Sequence, residues 1–190
     1  MDQQTTYKHT LAKDVLYDYS SVLVELPKIL ANKILLWGKN NIRDEALYSS
    51  QDSTHGREDK LHITIIYGVY SQTPKKIFTL LQHQPPFEVE LGKISLFSND
   101  TFNVVKIEAF SPALVYLNKF LEANIDNKKP LYSYKPHVTI AYTNRFSDVT
   151  LKETNSFEGI TWTVNSLNFS SRNGSKARIR MNSSLMPVKC

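Results

Sequence analysis

Two short segments of the 190-residue chain are near copies of one another, and this repetition constrains the fold more than any other feature of the sequence. The first is LHITIIYG (Leu61–Gly68) and the second is PHVTIAYT (Pro136–Thr143). Both are rich in β-branched and aromatic residues, which predicts a strand in each case. Their histidines, His62 and His137, are 75 residues apart, so each copy occupies its own half of the chain. We therefore predict a duplicated, two-lobed protein.

The apolar pattern around the two copies predicts strands alternating with helices. Helices are expected from Pro27 to Gly38, over TPKKIFTLLQH and over SPALVYLNKFLEANI. Further strands are expected at SSVLVEL, FEVEL, KISLF, VKIEAF, ITWTVNSLNF and KARIRM. This order predicts an α+β fold with antiparallel sheets, in one bilobal domain of residues 19–181. An extension (1–18) precedes it, and a polar tail (182–190) follows.

Composition narrows the class of protein. The hydrophobic fraction of 41% is ordinary for a globular domain, and no apolar run approaches the roughly 18 residues of a membrane span. The first residues show no secretory signal, so a cytoplasmic location is expected. The one cysteine, Cys190, excludes an internal disulfide. The net charge of +5 favours an anionic partner, although the basic residues are scattered along the chain.

Strand parity divides each copy into two faces. Side chains alternate along a strand, so His62 and Thr64 share one face, and His137 and Thr139 share one face of the second strand. The aliphatic residues between them point the other way. The same alternation predicts that Tyr67 and Tyr142 pack in the core, opposite the histidines.

Two histidines facing each other across a cleft can divide the work of phosphodiester chemistry. One imidazole deprotonates the attacking hydroxyl or water, and the other protonates the leaving oxygen. The threonines can donate hydrogen bonds to the non-bridging phosphate oxygens. This scheme requires neither a metal nor a cofactor, and the sequence contains no P-loop, Gly-x-Ser-x-Gly elbow or dinucleotide fingerprint.

The paired segments His62-Ile63-Thr64 and His137-Val138-Thr139 resemble the motifs of the two-histidine (2H) phosphoesterase superfamily, which includes RNA 2′,5′-ligase-like proteins and cyclic phosphodiesterases. The resemblance extends over residues 20–181, and PFEVELGKISLF and KPHVTIAY look most like small bacterial and phage members. It implies two antiparallel sheets around a central cleft, with helices outside. It also implies that His62, Thr64, His137 and Thr139 are catalytic, and both motifs are intact.

A second group of residues offers contacts to a substrate. Lys135 lies in a basic, tyrosine-containing loop that either binds phosphate and bases or is simply solvated. Arg172 is expected at the cleft rim, where a guanidinium meets phosphate bidentately. Arg57 lies in a loop that can cover the substrate, and its neighbour His55 is expected at the surface. The substrate-binding candidates are Tyr134, Lys135, Ser171, Arg172 and Arg57.

The sequence thus predicts a metal-independent phosphodiesterase whose substrate is RNA or a linear or cyclic oligonucleotide. The candidate bonds are a 2′,5′ linkage, a 2′,3′-cyclic phosphate, or a 3′,5′ linkage attacked by its neighbouring 2′ hydroxyl. Among phage-like members, resemblance also suggests a cyclic oligonucleotide immune signal. RNA 2′,5′ ligation and a non-catalytic nucleotide-binding module are the alternatives. No membrane or obligate protein partner is indicated, and the sequence leaves open which histidine is the acid.

Overall fold

The computed structural model describes residues 18–49, 55–147, 149 and 151–182. Apart from residues 18 and 182, the predicted extension and tail lie outside these residues. The strands are β1 Ser20–Glu25, β2 His62–Val69, β3 Phe87–Ser98, β4 Phe102–Phe110, β5 His137–Asn144, β6 Thr161–Val164, β7 Ser166–Ser170 and β8 Lys176–Arg180. The helices are α1 Lys28–Asn41, α2 Lys75–Leu81 and α3 Pro112–Asn124, with a 3₁₀ turn at Asp44–Ala46. None of these helices is long and apolar enough to cross a membrane.

All eight strands form one antiparallel sheet in the order β6-β3-β4-β5-β2-β1-β7-β8. Its two four-stranded halves meet at the motif strands β2 and β5, which are joined by the single pair Ile63–Val138. The two sheets expected from the sequence are therefore halves of one curved sheet. The α+β class with antiparallel strands is confirmed, and each half is one lobe of the molecule.

The predicted duplication is visible in the order of the elements. A strand, a helix and a motif strand occur as β1–α1–β2 in one lobe and as β4–α3–β5 in the other. The helices cross over, since α1 packs against β5 and α3 packs against β2. Asn118 of α3 donates a buried hydrogen bond of 2.9 Å to the carbonyl of Ile65 in β2. Each motif strand is thus supported by the helix of the other half.

The sequence predicted that α1 ends at Gly38, but the helix continues to Asn41. The role of Gly38 is a close approach between helix and sheet. A Cβ atom at this position would lie only 2.7 Å from Cγ2 of Ile140. The glycine therefore lets α1 lie directly on β5.

The segment ITWTVNSLNF is two strands rather than one. Val164 and Leu167 are both buried but are three residues apart, so one alternating strand cannot turn both inward. The chain breaks at Asn165, and β6 and β7 lie near opposite ends of the sheet. A sheet whose distant strands are joined by one residue must curl strongly. In contrast, FEVEL and KISLF form the single strand β3, whose pairing with β4 shifts between Leu91 and Ile94.

Candidate active site

The two motif histidines make the same hydrogen bond at the same position of their strands. Nδ1 of His62 lies 2.8 Å from the Lys60 carbonyl oxygen, and Nδ1 of His137 lies 2.7 Å from that of Lys135. A carbonyl oxygen only accepts, so each Nδ1 carries a proton and donates it. Each ring keeps Nε2 for a ligand, and this nitrogen accepts a proton when the ring is neutral and donates one when it is charged.

The strand register brings the four predicted catalytic residues together. Ile63 of β2 pairs with Val138 of β5, and the motif residues flank this pair on the face opposite the core. In an antiparallel register, His62 then lies across from Thr139, and Thr64 lies across from His137. Each histidine therefore faces the threonine of the other copy, in one compact group.

A β-bulge occurs at the same position of both motif strands. Leu23 pairs with Thr64 but Val22 pairs with Ile66, so Ile65 is an extra, unpaired residue in β2. In β5 the same shift leaves Ile140 unpaired. Both bulge residues are buried. A bulge of one residue reverses the parity of everything that follows it.

The bulges overturn the prediction that the two tyrosines pack in the core. Tyr67 is 54% exposed, and Tyr142 pairs with Val104 on the same face as the histidines. The Thr139 side chain lies near the Tyr142 hydroxyl and acts on its pKa. Burial raises the pKa of Tyr142, the nearby Glu58 adds to the rise, and Thr139 opposes it. Tyr142 is thus part of the candidate active site.

An aromatic cluster extends this face along β5. The ring of Tyr142 lies 5.0 Å from that of His55 and 5.3 Å from that of Phe102, and Tyr48 packs against the latter two. Ring pairs at such distances are stabilising. His55, expected at the surface, is a member of this cluster. The cluster forms an aromatic surface around Tyr142, beside Thr139.

Strand β4 adds two charged side chains beside the second motif. Lys106 pairs with Thr139 and Glu108 pairs with His137 across the strands, so both lie on the face of the histidines. The Lys106 ammonium donates to Ser95 Oγ at 2.9 Å and lies 3.9 Å from the Glu108 carboxylate. Burial lowers the pKa of Lys106, Glu108 opposes this fall, and Lys135 adds to it.

The protonation of His137 responds to these neighbours. Burial lowers its pKa below the ordinary value of 6.5, while the hydrogen bond to the Lys135 carbonyl opposes the fall. The positive charges of Lys106 and His62 lower the pKa further. A neutral His137 is therefore the dominant form at neutral pH.

Glu58 supplies the first motif with a carboxylate neighbour. Its backbone N–H donates to the Ile140 carbonyl at 2.9 Å, so the segment before β2 is attached to β5 at the bulge. Burial raises the pKa of Glu58, the charge of His62 opposes this rise, and Asp59 adds to it. The carboxylate therefore lies within electrostatic range of both His62 and Tyr142.

Arg57 lies elsewhere than expected. Its guanidinium donates to the carbonyls of Gly38 and Ile42, at 2.5 and 2.9 Å, and to the Asp44 carboxylate at 2.7 Å. These groups are at the C-terminal end of α1, on the helix side of the sheet. The structure thus gives Arg57 a structural role, holding its loop to the helix.

The other substrate-binding candidates are only partly brought to the site. Tyr134 donates from its hydroxyl to the Thr64 carbonyl at 3.0 Å, and burial raises its pKa, so it anchors the loop to β2. Lys135 lies beside the site, since its carbonyl binds His137 and its charge acts on Lys106. Ser171 is buried within the β7–β8 turn, where it bonds to Asn173 and Ser175, and Arg172 follows it in that turn.

Sequence reasoning missed Lys106, Glu108 and Tyr142. The alternation in VKIEAF places Lys106 and Glu108 on one face of their strand, but only its pairing with β5 shows which face that is. The signal for Tyr142 is the pair of adjacent apolar residues, Ile140 and Ala141, that interrupts the alternation.

Comparisons with known proteins assign the chain to a family. The family model of the 2′-5′ RNA ligase superfamily matches residues 39–176, well over half of the chain. The chain belongs to the 2′-5′ RNA ligase superfamily. Members of this superfamily are 2H phosphoesterases, which confirms the resemblance of the paired motifs. No curated protein matches the chain in sequence.

Several solved structures share the fold of this superfamily member. TT0787 of Thermus thermophilus matches with a TM-score of 0.60 and 14% identity, over 86% of this chain and 98% of that one. E. coli LigT complexed with phosphate matches with a TM-score of 0.56 and 18% identity, over 88% and 96%. Usb1 of Kluyveromyces marxianus matches with a TM-score of 0.57 and 13% identity, over 87% and 99%. These similarities establish the fold.

Proposed function

We propose that this protein is a metal-independent phosphodiesterase that cleaves a nucleotide or RNA phosphodiester involving a ribose 2′ oxygen. One observation carries the proposal: two imidazoles and two hydroxyls surround the Ile63–Val138 pair, and both imidazoles have Nδ1 bound to a carbonyl. Membership of the 2′-5′ RNA ligase superfamily supports phosphodiester chemistry at this site.

The different surroundings of the two histidines favour one division of roles. His137, with its lowered pKa, is the base and takes the proton of the attacking water or hydroxyl. A new phosphorus–oxygen bond forms while the bond to the leaving oxygen breaks. His62 donates the Nε2 proton to that oxygen, and the Glu58 carboxylate lies within electrostatic range of His62. The next cycle begins once both protons have been returned through solvent.

The remaining polar groups hold the phosphate. Thr64 and Thr139 donate hydrogen bonds to its non-bridging oxygens, which gain charge in the transition state. Lys106 lies across from Thr139 and contributes a positive charge on the same side. Tyr142 lies on the same face beside Thr139 and bounds this side of the site.

The candidate substrates share one reactive element, a ribose 2′ oxygen at or beside the scissile phosphate. They are 2′,5′ linkages, 2′,3′-cyclic phosphates and 3′,5′ linkages opened by the 2′ hydroxyl. E. coli LigT, which has a similar fold, has been crystallised with 3′-AMP and with ATP, which supports a nucleotide ligand. The resemblance to phage members adds cyclic oligonucleotide immune signals to the substrates to be tested.

The decisive experiment is a turnover screen with identified product ends. It uses linear 2′,5′ and 3′,5′ oligonucleotides, cyclic dinucleotides and trinucleotides, and 2′,3′-cyclic mononucleotides, with and without EDTA. We expect turnover of at least one class, no inhibition by EDTA, and loss of turnover in His137→Ala. Tight binding without turnover would instead identify a nucleotide-binding module.

RNA ligation remains the second candidate because the superfamily is named for it. The same groups catalyse it in reverse, with His62 as the base and His137 as the acid. Incubating RNA that ends in a 2′,3′-cyclic phosphate with 5′-hydroxyl RNA separates the two directions. A joined 2′,5′ product would identify the ligase, and a linear phosphate end would identify the hydrolase.

A further inference from the structure

We propose that the concave face of strands β7 and β8 binds backbone phosphates of an oligonucleotide that extends out of the cleft. The preferred substrate then carries at least one phosphodiester besides the scissile one. This inference rests on the proposed function, since it concerns the substrate of the same site. It concerns residues that are distant in sequence from both motifs.

The strand register connects this face directly to the first motif. Thr64 pairs with Leu23, Leu23 with Asn168, and Asn168 with Arg178. Cross-strand partners lie on the same face of a sheet, so all four belong to the face of the histidines. Three strand spacings of about 4.8 Å place the Arg178 backbone roughly 14 Å from that of Thr64. This separation suits a second phosphate rather than the reacting one.

The outer strand β8 presents a row of cations on this face. Lys176, Arg178 and Arg180 alternate with Ala177 and Ile179, and all three basic residues are exposed. Ile179 is buried on the helix side of the sheet, which fixes the direction of the basic row. Regularly spaced cations along an edge strand suit a polyanion such as a nucleic-acid backbone.

The cations are oriented toward the cleft. Lys176 forms an ion pair of 2.5 Å with Glu25, which pairs across the strands with His62. Arg178 donates from Nε to Ser166 Oγ at 3.0 Å. Among the residues that the structure describes, no carboxylate pairs with Arg178, so its terminal nitrogens remain for a phosphate. With Glu25 counted against the three cations, this face keeps two positive charges.

A cavity of about 300 Å³ opens beside this face, and Asn168 and Arg178 contribute to its lining. It is formed where β6 passes into β7, at the corner that joins the two lobes. Its polar walls come from both lobes, and its lining includes Glu25, Thr163, Ser166, Asn168, Arg178 and Trp162. The cavity therefore leaves room beside Arg178 for the uncharged base or sugar of a neighbouring nucleotide.

The opposite lobe carries two carboxylates on β3, two strands from its motif strand. Glu90 pairs with Phe110 of β4 and with Thr161 of β6, and Glu88 pairs with Thr163. These carboxylates lie on the face of the histidines, on the strand next to the outer strand β6. They repel a phosphate backbone, so the strand leaves the cleft over β1, β7 and β8.

The test compares a substrate with one phosphate and a substrate with several. For the wild type and for Arg178→Ala/Arg180→Ala, kcat/KM is measured with a 2′,3′-cyclic mononucleotide and with a tetranucleotide containing the same scissile group. We expect the ratio of the tetranucleotide to the mononucleotide value to fall about tenfold or more in the variant. The salt dependence of kcat/KM for the tetranucleotide should also become shallower, by about 0.7 per lost phosphate contact on a log–log plot.

The matched control is Lys33→Ala/Lys39→Ala, which removes the same charge from the exposed face of α1. It should leave the ratio unchanged. An equal fall in the control, or an unchanged ratio in the arginine variant, would overturn the inference. Binding of a fluorescent tetranucleotide in the His137→Ala background gives an answer without turnover. Absence of wild-type turnover would reject the proposed function, whereas equal binding with and without the arginines would reject the β7–β8 site.

Discussion

Lys106 is the candidate for a third catalytic group, because in the proposed mechanism its charge acts on both the base His137 and the phosphate. It is largely buried, it faces Thr139, and it lowers the pKa of His137. The carboxylate of Glu108, 3.9 Å from the ammonium, offsets only part of this positive charge. The acidity of His137 is therefore set by the residues around it as well as by its own burial.

Replacing Lys106 by Met should shift the pH profile of kcat/KM. Without the ammonium, His137 binds a proton more readily, so its pKa rises. The acidic limb of the profile reports the base in the free enzyme and should move to higher pH. The shift should be partial, because burial still lowers the pKa. Lys39→Met on α1 is the control. If the acidic limb does not move in Lys106→Met, Lys106 does not influence the pKa of His137.

The histidines themselves give the most direct test of the site. His62→Ala and His137→Ala should each reduce kcat at least about 100-fold, because each removes one proton-transfer group. The melting temperature should change little, since both residues are only half-buried and lie on the face opposite the core. His83→Ala, an exposed histidine after α2, is the matched control. Full activity in both cleft variants would contradict the proposed mechanism.

The four motif residues were predictable because repetition identified them without knowledge of the fold. Lys106 and Glu108 could not be predicted as site residues, since their position depends on the pairing of β4 with β5. That pairing joins strands separated by a helix, and no local signal encodes the register. Tyr142 was placed on the wrong face because a bulge changes parity at Ile140.

At the level of elements, the packing of α1 on β5 depends on Gly38. In an exposed helix interior, changing Gly to Ala stabilises by about 1 kcal/mol. Here the added methyl would lie 2.7 Å from a buried Ile140 side chain, so the sign should reverse. We expect Gly38→Ala to destabilise the protein by about 1–3 kcal/mol in urea unfolding. Lys39→Ala, on the exposed side of the same helix, should change stability by less than about 0.5 kcal/mol. A stabilised Gly38→Ala variant would show that helix and sheet are not in close contact.

Most elements could be predicted from periodicity, and the differences have local causes. Gly38 is usually a stop signal, but the close approach of Ile140 explains it here inside a helix. The break at Asn165 was present in the sequence as a change of phase between Val164 and Leu167. The sequence does not show that β6 and β7 lie at distant places in the sheet, because their positions depend on pairing with β3 and β1.

At the level of the whole molecule, the exchanged helices join the stability of the two lobes. Trp37 lies in α1, the exchanged helix that packs on β5, and Trp162 lies in the outer strand β6, so one tryptophan reports on the exchanged contact and the other on the sheet. We expect the lobes to unfold together, since neither motif strand keeps its supporting helix when the other lobe opens. The fluorescence transition of Trp37→Phe and that of Trp162→Phe should each coincide with the circular-dichroism transition of the same variant. Separate transitions would show that the lobes are independent.

The single residue between β6 and β7 has a consequence for how the protein selects a substrate. The lobes are joined at the Ile63–Val138 pair and again at Asn165, near the far strands of the curled sheet. Two joints on different sides of a groove leave little freedom for the hinge motion that many enzymes use to enclose a ligand. We expect discrimination by fit to a preformed groove, with nearly the same backbone before and after binding.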